Sequence, residues 1–265
     1  MEQKIIKKNN VRFLGNGSKT ILFVHGYGCD QSMWRYITPS FENDYKIILI
    51  DLVGSGYSDT SFYDFDKYTK LDAYADDIIE ICYELKLSNV ILVGHSVSAT
   101  ICTIACNKAP KLFDKLIMIC PSPKYINDEG YLGGFTKADI DMLLESLDTN
   151  HLTWSHNVAP LIMSNNDRPE LKEEWETSFC RMNPSISKHF AKVIFLGDNR
   201  KDFLKLKTQS LTIQSKNDSL VPLDVRKYLD AQMLNSTLTV LDTSGHCPHL
   251  SNPDLTIKAM RAFLN

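Results

Sequence analysis

One stretch of the sequence decides the fold, and it reads Val90-Ile91-Leu92-Val93-Gly94-His95-Ser96-Val97-Ser98-Ala99. Its apolar, β-branched first half is typical of a buried parallel strand, and the composition after Ala99 is typical of a helix. Ser96 therefore falls on a sharp strand-to-helix turn, which exposes its hydroxyl above the sheet and points helix-start amides toward it. The usual pattern is G-x-S-x-G, and Ser98 replaces the last glycine with a residue nearly as small. The stretch predicts a nucleophilic serine; the alternative at this point is a serine in an ordinary strand-to-helix loop.

Length and charge narrow the class of protein. At 265 residues, the chain can form one large core or two modest domains. Its 29 basic and 32 acidic residues give a net charge of −3, which does not favour nucleic-acid binding. No apolar run approaches the roughly 18 residues that span a bilayer, and the first residues lack the apolar core of a secretory signal. We expect a cytoplasmic protein that binds neither nucleic acid nor membrane.

The cysteines indicate a reducing compartment. There are seven, scattered and without a C-x-x-C pair, and Cys102, Cys106 and Cys120 lie inside apolar runs. This usage is typical of buried, reduced thiols. His246-Cys247-x-His249 has no second Cys/His pair to complete a metal site, so we expect neither metal nor cofactor.

Strand-like and helix-like segments alternate along most of the chain, which predicts an α/β fold: a mostly parallel twisted sheet flanked by helices. Residues 11–14 and 20–24 are extended runs separated by Gly15-Asn16-Gly17-Ser18, which indicates a β-hairpin. Further strands are predicted at 46–50, 116–120, 211–215 and 238–241, and helices at 71–85 and 254–264.

The pattern changes between residues 121 and 210, where no strand-like run occurs. Four amphipathic helical stretches take its place, at 136–147, 151–163, 170–180 and 184–195. We therefore expect a four-helix cap (124–207) inserted into a core formed by 1–123 and 208–265.

A serine nucleophile needs a base, and the base needs an orienting carboxylate. In folds with this kind of turn, the chain order is serine, acid, histidine. Asp218 follows the strand at 211–215, and His246 follows the strand at 238–241. Both can reach Ser96 across the carboxyl edge of the sheet. Asn217 cannot carry the negative charge, and Gly245 gives His246 the tight turn that its competitor His249 lacks.

Acyl transfer also requires donors where negative charge develops on the carbonyl oxygen, each typically worth ~3 kcal/mol. The segment His25-Gly26-Tyr27-Gly28 follows the strand at 20–24, and its glycines let the Tyr27 amide turn toward the substrate. The second predicted donor is the amide of Val97, at the start of the helix that follows the turn at Ser96.

Several motifs together resemble the RsbQ group of α/β-hydrolases, which includes a bacterial regulator of the general stress response and plant karrikin and strigolactone receptors. The similarity runs over essentially the whole chain. It is carried by the segments at 25–34, 51–56 and 133–135, by Gly-His-Ser-Val-Ser-Ala at 94–99, similar to the plant branch, and by Gly-His-Cys-Pro-His at 245–249, closer to the bacterial branch.

The resemblance implies a Ser96–His246–Asp218 triad, an oxyanion hole from the Tyr27 and Val97 amides, and a narrow apolar pocket beneath the cap. It implies that the pocket is lined by Phe135, Trp154, Val158, Phe195 and Ser219. Relatives often carry a bulky aromatic where this chain has Val158, so the pocket is expected to be wider there.

We therefore expect a serine hydrolase that cleaves a small, largely apolar ester or lactone through an acyl-enzyme. The bacterial branch implies a role in stress signalling and a PAS-domain phosphatase partner that receives a small hydrophobic product. Two alternatives keep the triad, namely a slow-turnover receptor that signals through a protein partner and a metabolic carboxylesterase. Perhydrolase and carbon–carbon hydrolase chemistry also stay open, whereas a haloalkane dehalogenase would need a carboxylate at position 96.

Overall fold

The computed structural model describes residues 2–265 and contains one seven-stranded sheet in the order β1-β3-β2-β4-β5-β6-β7. Every neighbouring pair is parallel except β1 with β3, and β4 lies at the centre. The strands are β1 (Arg12–Leu14), β2 (Lys19–Val24), β3 (Tyr45–Ile50), β4 (Val90–His95), β5 (Phe113–Ile119), β6 (Gln209–Asn217) and β7 (Ser236–Ser244).

Helices cover both faces of this sheet. They are α1 (Glu2–Lys8), α2 (Leu71–Glu84), α3 (Val97–Lys108), α4 (Lys137–Thr149), α5 (His151–Met163), α6 (Pro169–Cys180), α7 (Pro184–Phe195), α8 (Arg200–Lys205), α9 (Leu223–Gln232), α10 (Pro248–Ser251) and α11 (Pro253–Leu264). Among the described residues, no helix combines the length and apolar character needed to cross a bilayer.

Alternate residues of the central strands enter two separate hydrophobic clusters. Leu22 of β2 packs with side chains from α2 and α3, and its neighbour Phe23 packs with side chains from α11 on the opposite face. Because both faces are buried, the central strands are almost continuously apolar. The predicted α/β class is thus confirmed.

The predicted hairpin between residues 11–14 and 20–24 is wrong. β1 pairs antiparallel with β3, and β2 lies between β3 and β4 and pairs parallel with both. The reason is burial: β2 is buried along nearly its whole length and needs a partner on each side, whereas the largely exposed β1 suits the sheet edge. The connecting loop packs its glycines against the backbone at 42–45, just before β3.

Four helices, α4–α7, lie between β5 and β6, and we call them the cap. Local signals set its helix boundaries. Thr136 and Asp139 form a capping box at the start of α4, Asn150 caps α5, and Asn183 caps α7. The short helix α8, which the sequence pattern did not predict, packs against α3 of the core.

Candidate active site

The site is built on a strained turn between β4 and α3. Ser96 has φ 55° and ψ −124°, a left-handed region that side chains rarely occupy. The turn is enforced by a close crossing, because a Cβ on Gly94 would overlap the backbone of Ser98. Ser98 itself is tolerated in place of glycine because its hydroxyl donates a hydrogen bond to the carbonyl oxygen of His25.

Three distant side chains converge at this turn. His246 Nε2 lies 2.7 Å from Ser96 Oγ, and His246 Nδ1 lies 2.7 Å from Asp218 Oδ2. With Asp218 ionised, Nδ1–H donates to the carboxylate and Nε2 accepts the serine proton. The loops that carry the three residues follow β4, β6 and β7 at their carboxyl ends, so one edge of the sheet brings them together.

Asp218 is held in its charged form although its side chain is 0% exposed. Burial alone raises the pKa of this carboxyl group, but His246 and two backbone amides outweigh it, so the pKa lies below its usual value. The amides belong to Leu220 and Val221, which donate to Oδ1 over 2.9 and 3.2 Å. Asp218 can therefore orient His246 and stabilise it when it gains a proton.

The two amides predicted as oxyanion donors, those of Tyr27 and Val97, have no hydrogen-bond acceptor anywhere in residues 2–265. Val97 is the first residue of α3, where backbone N–H groups point away from the helix and favour negative charge. The Tyr27 loop is held by His25, whose Nδ1 lies 2.8 Å from the Gly26 carbonyl and whose Nε2 accepts the Leu52 amide over 3.0 Å.

A narrow cavity lies above Ser96, beneath the cap. Its polar groups are concentrated at the floor, around Ser96 and His246, and the remaining walls are mainly aromatic and aliphatic. Three of the five predicted pocket residues line it: Trp154, Val158 and Phe195.

The other two predicted pocket residues, Phe135 and Ser219, lie outside the lining that the described residues form. Ser219 is exposed, because the turn closed by Asp218 directs Leu220 inward instead. Phe135 packs behind Tyr125, with ring centroids 6.5 Å apart, and Tyr125 faces the cavity in its place.

Several residues that line this cavity were not predicted from the sequence. Trp154, Val158 and Ile162 recur at every fourth position along α5, so helical spacing could have added Ile162 to the predicted pair. Tyr125 precedes α4, in an irregular segment that has no periodicity to reveal it. The further apolar lining residues are Tyr27, Leu143, Trp175, Ile194 and Leu220.

One group of possible metal ligands overlaps the site. Donor atoms of Cys120, Asp218 and His246 lie within 4.8 Å of one another. These residues do not suit a metal, because the Asp218 and His246 atoms are already hydrogen-bonded to each other. Burial and the nearby Asp218 charge raise the pKa of Cys120, so its thiol does not supply the thiolate that a metal requires.

Comparisons with known proteins show the family of this chain. Residues 21–259 match the model of the family described as "Alpha/beta hydrolase family". The chain belongs to this family. It is 36% identical over 264 residues to strigolactone esterase D14 of Arabidopsis thaliana, covering 99% of this chain and 98% of the relative. It is 36% identical over 253 residues to karrikin insensitive 2 receptor CA of Petunia hybrida, covering 95% and 94% of the two chains.

A solved structure extends the similarity to three dimensions. A hydrolase from Oleispira antarctica superposes with a TM-score of 0.97 at 37% identity, covering 99% of this chain and 97% of that one. The fold and cap described above are therefore shared with a hydrolase across the whole chain.

The strained backbone at Ser96 generates a stability prediction. Glycine adopts this φ without a Cβ penalty, so Ser96→Gly should be more stable than Ser96→Ala by about 1 kcal/mol. Urea unfolding of both variants measures the difference. Exposed Ser146, near the end of α4, is the matched control. There the order should reverse, with Gly less stable than Ala by about 1 kcal/mol. Equal or reversed stabilities at position 96 would show that the turn is not strained.

Proposed function

We propose that this protein is a serine hydrolase that cleaves a small, largely apolar ester or lactone through an acyl-enzyme. The observation that carries the proposal is the unbroken hydrogen-bond chain from Ser96 through His246 to Asp218, with Ser96 and His246 lining an apolar cavity. The Tyr27 and Val97 amides, which have no acceptor among residues 2–265, are the proposed oxyanion donors. Relatives that are 36–37% identical and named strigolactone esterases support the same reaction class.

In the first half of the reaction, Ser96 Oγ attacks the carbonyl carbon while His246 Nε2 takes the hydroxyl proton. The carbonyl oxygen gains negative charge and accepts hydrogen bonds from the Tyr27 and Val97 amides. The carbon–oxygen bond to the leaving alcohol then breaks, and His246 returns its proton to that alcohol. The product of this half is an ester between Ser96 and the acyl group.

In the second half, His246 removes a proton from a water molecule that attacks the acyl-enzyme carbonyl. The same two amides stabilise the second tetrahedral intermediate, and Ser96 leaves as the proton returns to it. Asp218, fixed by Leu220 and Val221, favours the protonated histidine in both halves.

The cavity supports the proposed substrate class. Polar groups near Ser96 serve the reacting carbonyl, while the distant walls offer almost no hydrogen-bond partners. The indole N–H of Trp154 is already donated to the Leu143 carbonyl over 3.1 Å. A substrate with polar groups far from its ester would leave those groups unpaired, at a cost of about 1–3 kcal/mol each.

Ser96→Ala tests the nucleophile. The variant should lower hydrolysis of 4-nitrophenyl acetate by at least about three orders of magnitude, because no oxygen is left to form the acyl-enzyme. Wild-type protein treated with a fluorophosphonate should gain one adduct on the peptide that contains residue 96. Turnover retained in the variant, with an unchanged melting temperature, would remove Ser96 from this role.

Val158→Phe tests the pocket. The added ring should narrow the cavity, so kcat/KM for 4-nitrophenyl hexanoate should fall about tenfold or more while that for the acetate changes little. Leu152→Phe, at an exposed position of the same helix, is the matched control and should leave both values unchanged. Equal losses on the short and long esters would show that Val158 does not limit the acyl site.

We further propose that the enzyme is of the RsbQ type and acts in the cytoplasm, in stress or small-molecule signalling. The Gly-His-Cys-Pro-His motif at 245–249, which resembles the bacterial branch, supports this assignment. By the same resemblance, we propose a PAS-domain phosphatase as the partner. The core at 1–123 and 208–265 and the cap at 124–207 are our proposed division of the chain.

A slow-turnover receptor is the second candidate, favoured by the karrikin receptors among the relatives. The time course of 4-nitrophenol release distinguishes the candidates. One rapid equivalent followed by a much slower phase supports a receptor, whereas sustained rapid turnover without a partner supports a metabolic carboxylesterase.

A further inference from the structure

The side chain of Tyr27 enters the cap although its backbone belongs to the core. Its ring meets four cap aromatics edge-on, at centroid distances of 5.5–6.5 Å: Trp154, Phe179, Phe190 and Phe195. The next residue, Gly28, has no space for a side chain, because a Cβ there would lie 2.6 Å from Trp175 of α6. The loop that carries the Tyr27 amide is therefore packed directly against the cap.

The phenol hydroxyl of Tyr27 is bonded to the cap helix α7. It lies 2.7 Å from Ser187 Oγ and donates to the Ser187 carbonyl oxygen over 3.1 Å. Ser187 is fully buried, so this polar contact is closed off from water. Burial raises the pKa of Tyr27, and the hydroxyl stays protonated and able to donate.

Two ion pairs join the segment that follows Tyr27 to the cap helix α6. Asp30, which is buried, pairs with Arg181 at the end of α6. Arg35 makes a two-pronged contact with Glu174 of α6, in which one pair of atoms is 2.7 Å apart. The segment from Tyr27 to Arg35 thus contacts α6 and α7 through polar bonds as well as packing.

We propose that the Tyr27 side chain is a positioning residue that ties the oxyanion hole to the cap. With the cap seated, the bond to Ser187 holds the Tyr27 loop so that its amide points at the reacting oxygen. When α7 moves away, the loop loses this restraint, and the Tyr27 amide no longer points at the reacting oxygen. Hydrolysis then slows while the hydrogen bonds of the triad stay intact. The inference rests on the proposed hydrolase function.

Two substitutions, Tyr27→Phe and Ser187→Ala, test the link between the loop and the cap. Each removes only a hydroxyl group, so neither introduces a steric clash. Tyr27→Phe removes the hydroxyl and keeps the amide. It should lower kcat for 4-nitrophenyl acetate about fivefold, the effect of one ordinary hydrogen bond, with KM within a factor of two. The oxyanion forms only in the transition state, so the loss should fall on kcat. A role in cap packing or substrate binding alone would change KM instead.

Ser187→Ala provides a graded comparison. The Tyr27 hydroxyl can still donate to the backbone carbonyl of residue 187, so this variant should lose less activity than Tyr27→Phe. The double variant should match Tyr27→Phe, because both changes remove the same contact. Ser185→Ala, at an exposed position of the same helix, is the control and should behave as wild type.

Hydrogen exchange gives a readout that does not depend on activity. Amides of residues 26–30 should exchange faster in Tyr27→Phe and Ser187→Ala than in wild type and Ser185→Ala. Unchanged kcat together with unchanged exchange at 26–30 would overturn the inference while the hydrolase proposal stands. If wild type hydrolyses no better than Ser96→Ala, the hydrolase proposal fails, and the exchange rates alone decide whether the cap restrains the loop.

Discussion

The structure depends on one close approach between β4 and α3. At Gly94 and Ser98 the two backbones nearly touch, and the chain between them can turn only by placing Ser96 at a positive φ. Such a conformation costs on the order of 1–3 kcal/mol, and it persists only where the surroundings hold it. Here they do, because β4 is fully buried at the centre of the sheet and α3 is buried along most of its length. The turn thus brings Ser96 to the wall of the cavity at the expense of local stability.

The cap takes part in the catalytic geometry as well as covering it. The amide of His246 donates to the Ile162 carbonyl of α5 over 2.7 Å, and Gly245 leaves no space for a side chain beside Met163. The histidine loop therefore contacts α5, just as the Tyr27 loop contacts α7. Two of the loops around Ser96, those of Tyr27 and His246, are therefore held by cap helices.

Much of this arrangement follows from the sequence because local signals agree with the fold. The strand-to-helix turn at Ser96 and the predicted cap helices have strong periodicity and capping residues, and the structure confirms the fold they predict. Asp218 and His246 could be selected because each follows a buried strand. The antiparallel pairing of β1 with β3 could not be predicted. A glycine-rich loop between two strands looks like a hairpin turn in the sequence, whether or not those two strands pair with each other.

The pocket was harder to predict than the triad. Whether Ser219 or Leu220 faces the cavity depends on a turn closed by the Asp218 carboxylate, which composition does not reveal. Tyr125 and Phe135 lie on one irregular segment and pack against each other, so only the three-dimensional path of the chain shows which ring lines the cavity. The contact between Tyr27 and Ser187 joins residues 160 positions apart and leaves no local pattern.

The most direct measurement is a crystal structure of the protein after reaction with a fluorophosphonate, which leaves a tetrahedral phosphorus on its nucleophile. The account predicts phosphorus bonded to Ser96 Oγ, with one phosphonyl oxygen about 2.7–3.1 Å from both the Tyr27 and Val97 nitrogens. A phosphonyl oxygen directed away from both amides, or phosphorus bonded to another residue, would contradict it.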